Sequence, residues 1–186
     1  MAQAVAGQPA NRTKMLVFLM IGALVSLSLG VYGRVHDPTG DSLVSGFFTS
    51  SINLKVWFAT VAFVLAIAQV LMAARFYGHL GHGRGPRWLG RAHRISGTLA
   101  FLFAIPVAYH CLWSLGYQSG QARVLIHGTF GCLFFGALTA KVLIVRSPAM
   151  PKLALPVLGG LVFTALTVLW LTSALWFFTT VQFPGV

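Results

Sequence analysis

Acidic side chains are almost absent: of 186 residues only Asp37 and Asp41 carry a carboxylate, and both lie in one short segment. That excludes hydrolysis by paired carboxylates and an acidic proton relay inside a membrane. Cysteine is nearly as scarce. Cys111 and Cys132 fall inside apolar runs and read as small buried hydrophobes. No C-x-x-C-H occurs, so covalent c-type haem attachment is excluded. Charged residues make up 8% of the chain, against about 25% in a soluble domain. Thirteen Lys and Arg give a net charge of +11, but they are scattered through short loops. That is a topology signal rather than a nucleic-acid footprint, so no nucleic-acid partner is expected. No flavin or nucleotide motif is visible either.

What is present is hydrocarbon: 57% of the residues are hydrophobic. A bilayer core of about 30 Å takes roughly 20 apolar residues as a helix. Five runs qualify, near 15–33, 54–74, 95–117, 123–145 and 154–179. They are continuous rather than alternating, which argues for helices and against a membrane barrel. The expected fold is an all-α integral membrane protein: a five-transmembrane helix bundle over 15–186, preceded by a short tail, 1–14. The run from Met15 to Val31 exceeds a usual signal-peptide core and lacks an A-x-A-like cleavage site, so it reads as an uncleaved first span.

Ten basic residues collect at one end of this bundle: Arg12, Lys14, Arg75, Arg84, Arg87, Arg91, Arg94, Lys141, Arg146 and Lys152. The other end holds Arg34, Lys55 and Arg123. The positive-inside rule then puts the N-terminus in the cytoplasm and the C-terminus outside. Trp57, Trp113 and Trp176 sit toward the outer ends, as an interfacial belt requires.

Against this background, His93, His110 and His127 recur at 17-residue intervals. His110 lies near the end of the third span and His127 near the start of the fourth. The loop between them, 118–122, is short enough to predict a tight antiparallel hairpin with the two imidazoles level, about 7–10 Å below the outer surface. Two axial nitrogens on either side of a flat macrocycle are what a haem iron takes. No span contains Asp or Glu, so the alternatives for each ring are a hydroxyl such as Thr129 or Tyr109, or a bare metal ion. Gly128, Gly131 and Gly136 leave room either for close helix packing or for a flat ligand. Arg123, one turn outward of His127, either pairs with haem propionates together with Arg34 or Lys55, or snorkels at a helix end. Pro106 is placed to kink the third span. His93 lies about 25 Å from His110 along the axis. It either takes a second haem with His79 or His82, or touches lipid headgroups.

The stretches RWLGRAHRISGTLAF, YH and LIHG resemble the small b-type membrane cytochromes, the cytochrome b561 and ferric-reductase-like group. More narrowly, they resemble an uncharacterised actinobacterial family of multi-pass membrane proteins. It shares an HR-x-(S/T)-G opening, a PVAYH segment, a second-helix histidine and a closing WLTSALWFF, Trp170 to Phe178 here. The likeness covers residues 85 to 180. It implies haem b ligation by His110 and His127, with His93 a further candidate, and electron transfer in a bacterial plasma membrane. The spacing of 17 departs from the 13 or 14 residues common in two-haem members, and the four-histidine, four-helix pattern is not met. A single outer haem is therefore expected.

The leading functional expectation is an electron-transfer subunit exchanging electrons near the outer face with a quinol, a c-type cytochrome or another redox subunit of a membrane complex. The alternative is an accessory transmembrane subunit of a larger respiratory or photosynthetic complex, without haem of its own. A transporter is disfavoured, because no acid lies at the midplane.

Overall fold

The structure, a computed structural model, describes residues 11–41, 45–81 and 85–181. All regular structure among them is helical, and five helices are long and apolar enough to cross a membrane. They are α1 (Arg12–Val35), α2 (Ser51–Phe76), α3 (Leu89–Leu115), α4 (Ala122–Val145) and α5 (Ala154–Thr180). At 24 to 27 residues each is about 36–40 Å long, enough for the hydrocarbon core and part of each interface. Asn11 caps α1 by accepting from Lys14 N at 2.9 Å, and Ser50 caps α2 through Asn53 N. The chain is a multi-pass membrane protein with a helical bundle in contact with lipid. On α1 the stripe Leu16, Met20, Leu24, Leu27 and Val31 is exposed, as suits a surface that meets lipid.

α3 begins at Leu89, six residues before the apolar run expected at 95. Arg91, His93 and Arg94 therefore lie on the helix rather than in the loop. Arginine is a good helix former, and its long stem lets the charge reach water from the first turns. Hydropathy locates the apolar core of a span and misses such ends.

In space the helices run α3, α2, α5, α4, α1, each packed on the next. Thr60 and Trp170 join α2 to α5: the indole N–H donates to the threonine hydroxyl at 3.1 Å, and Phe63 stacks on Trp170 at 4.8 Å. The tightest seam is α1 on α4. There Gly22 and Gly136 bring two backbones together, and Ser26 Oγ donates to the Cys132 carbonyl at 3.0 Å. Small residues four apart on both helices, Gly22, Ser26 and Gly30 against Cys132, Gly136 and Ala140, permit this approach.

The expected hairpin of the third and fourth spans is not formed. α3 lies along α2, while α4 lies between α5 and α1. α3 and α4 meet through side chains such as Phe101, edge-on to Phe135 at 6.2 Å. The connection explains this. At Gly116, with φ +65°, the chain leaves α3 sideways, and Tyr117 N donates to the Gly33 carbonyl at the end of α1 at 2.6 Å. Six residues, 116–121, reach about 20 Å, roughly two interhelical distances. A short loop therefore does not force adjacency here.

Candidate functional site

Because α3 and α4 stand apart, the space between them is hollow. Two cavities, about 490 and 600 Å³, are stacked along the bundle and walled by α2, α3, α4 and α5. Phe134 and Leu166 line both and form the partition. Both volumes fall within the roughly 300–1,000 Å³ of ordinary ligand sites. One cavity holds His127 and the other His93 and His79. His82, the alternative partner for His93, lies outside the described residues.

The His127 cavity is the better furnished. Cys111, Leu112 and Leu115 of α3 line it, as does Ser173 of α5. The first three lie in a π-helical turn, Cys111–Leu115, and Ser173 lies in a second, Leu171–Leu175. Such turns disturb the regular helix ladder and recur at functional sites.

Thr172, in the second π turn, fixes His127. Its hydroxyl donates to the Val168 carbonyl at 2.7 Å, so it is free to accept from His127 Nδ1–H at 3.0 Å. The imidazole is thereby held as the tautomer whose Nε2 carries a lone pair. An Nδ1–H anchored to an oxygen acceptor is the usual support of a metal-ligating histidine. The Thr172 carbonyl accepts from Arg123 Nη1 at 2.7 Å, and the guanidinium lies over the Trp176 ring at 3.8 Å. One residue of α5 thus binds two residues of α4 a turn apart. Arg123 is engaged with α5 rather than directed to open space. Gly131 also lines this cavity, and a Cβ there would meet only Leu169 Cδ2, at 3.8 Å. Of the three glycines on α4, Gly136 serves helix packing, Gly128 lies under the Tyr117 ring, and Gly131 leaves open volume.

His110 and His127 are level: the first lies five residues before the end of α3, the second five after the start of α4. They do not share the cavity. Its α3 wall runs through Ala104, Val107, Ala108, Cys111, Leu112 and Leu115, and His110 is not among the residues that line it. His110 is buried one turn before Ser114, whose hydroxyl donates to the Asp41 carbonyl at 2.7 Å. Its Nδ1 has no hydrogen-bond partner among the described residues. His36 serves elsewhere: its Nε2–H donates to the Trp113 carbonyl at 3.2 Å, and its ring stacks on Tyr32 at 5.0 Å.

Residues 15–185 match the family described as "Family of unknown function (DUF6529)". The chain belongs to DUF6529. No curated protein and no solved structure matches it.

Within this DUF6529 chain, His127 and Gly131, both named from the sequence, line the cavity, whereas Thr172 was not named. The threonine lies 45 residues from His127, and an isolated Thr in an apolar run carries no signal. Thr129, one of the hydroxyls offered as an alternative partner for the histidines, pairs with Tyr117 at 2.6 Å.

Proposed function

We propose that the chain is a membrane haem b electron-transfer subunit, with the macrocycle in the His127 cavity and His127 Nε2 as the protein ligand. The observation that carries this is an anchored imidazole: Thr172, whose own hydroxyl proton goes to Val168, accepts from Nδ1–H of a histidine that lines a 490 Å³, mostly apolar cavity. A haem bound there supplies a one-electron carrier. The chain holds the imidazole orientation, excludes water with aliphatic walls, and leaves space at Gly131. Because His110 is not among the residues that line the cavity, the ligation proposed is by His127 alone.

The basic end is assigned to the cytoplasm by the positive-inside rule, in a bacterial plasma membrane. The His127 cavity then lies in the outer half, suited to exchange with a quinol or an extracytoplasmic redox protein.

The test is the visible spectrum of the purified protein with a pyridine haemochrome assay. A b-type spectrum that shifts on adding carbon monoxide is expected, since one protein nitrogen leaves the sixth position open. A colourless folded protein would sink the proposal and return the accessory-subunit reading. Thr172→Val removes the acceptor for His127 Nδ1–H while keeping the side-chain volume. It is expected to weaken haem retention about 10–100-fold, measured by transfer to apomyoglobin.

A further inference from the structure

The second cavity carries an unmatched charge. Lys141 lines it, half-buried, four residues before the end of α4. The only acidic side chains, Asp37 and Asp41, follow α1 at the opposite end of the bundle. An ammonium facing hydrocarbon is costly, and such groups pair with a counter-charge. Two further polar groups stand near it. His93 lines the same cavity as Lys141, and its Nδ1 has no hydrogen-bond partner among the described residues. Gln69 does not supply a donor to His93 Nδ1, because its amide N–H groups are given to the His93 carbonyl at 2.5 Å and the Ser96 hydroxyl at 2.6 Å. The rest of the wall is mainly apolar, with Ala66, Ala73, Leu138 and Val162 among its residues. Gly159 extends the space, since a Cβ there would meet nothing within 4 Å.

We infer that the His93 cavity binds an acidic amphiphile, its carboxylate or phosphate at Lys141 and His93 and its hydrocarbon part along the wall toward Gly159. Charge complementarity selects the head and the apolar wall selects the tail. A free fatty acid and an anionic phospholipid share this chemistry. The site is separate from the His127 cavity and does not depend on the haem reading.

The experiment uses the purified full chain in phosphatidylcholine nanodiscs and follows thermal unfolding with oleate, with oleyl alcohol, or with phosphatidylglycerol added to the disc. Oleate or phosphatidylglycerol is expected to raise the midpoint, and oleyl alcohol to leave it unmoved. The larger of the two acidic responses identifies the source. Lys141→Gln is expected to weaken the acidic response at least about tenfold, the share of a charge-assisted hydrogen bond. Lys141→Arg should keep it, as should Lys152→Gln at an exposed position. Gly159→Leu should block it by filling the cavity. Equal response to oleate and oleyl alcohol, or an unchanged response in Lys141→Gln, would overturn the proposal. So would loss of haem from Gly159→Leu, which would place a macrocycle there. His127→Ala should bind oleate normally, so failure of the haem reading leaves this result standing.

Discussion

Alanine at position 127 is expected to remove haem completely from the purified protein, whereas alanine at position 110 is expected to leave it coloured. The asymmetry follows from where two superficially equivalent residues lie. His127 faces the 490 Å³ cavity and is oriented by Thr172. His110 is buried behind the α3 wall of that cavity. Removing the only protein ligand leaves a macrocycle held by apolar contact alone, and no histidine on the cavity wall replaces it. The local fold should survive, because Arg123 keeps its bond to the Thr172 carbonyl at 2.7 Å and its stack on Trp176. Circular dichroism of His127→Ala should therefore match wild type while the b-type absorbance is lost. Gly131→Phe tests the same site sterically: it keeps the ligand but fills the space, and should lose absorbance to a similar extent. If His110→Ala bleaches the protein as fully as His127→Ala, the ligation proposed here is wrong and the bis-histidine arrangement is restored.

The five spans were legible because lipid demands long apolar helices, and that demand is local in sequence. The depth of His110 and His127 was legible for the same reason, since counting from helix ends gives height along the axis. Their azimuth was not. It depends on which face of α3 meets the interior, and that is settled by packing of α3 on α2 and by the sideways exit at Gly116. Loop length appeared to answer the question, but a six-residue connection can cross to α1 as easily as it can reverse. Lys141 and His79 illustrate another limit. Lys141 was read only as a member of the basic end and His79 only as a loop partner for His93, and both line a cavity that exists because distant helices stand apart.

Gly136→Ala is expected to be the most destabilising single-methyl change in the bundle, and Gly131→Ala, on the same helix, to be neutral or slightly favourable. A Cβ on Gly136 would fall on Ser26 Oγ and the Gly22 carbonyl of α1. The serine cannot simply rotate away without cost, because its hydroxyl donates to the Cys132 carbonyl at 3.0 Å. The Gly22 carbonyl is backbone and moves only with the helix, so α1 and α4 must separate. Separation loosens the most extensive helix seam, including the packing of Met15 and Phe18 against Ala140 and Ile144. Overpacking a close-packed site costs about 1–3 kcal/mol, and a backbone-to-backbone clash belongs at or above the top of that range. At Gly131 the added methyl meets only Leu169 Cδ2 at 3.8 Å, an ordinary contact. The replacement there recovers up to about 1 kcal/mol of helix propensity. Unfolding of the two variants in mixed detergent micelles with rising sodium dodecyl sulfate should separate them to either side of wild type. Equal midpoints would mean that the glycines of α1 and α4 do not touch, and the order α3, α2, α5, α4, α1 would lose its last contact.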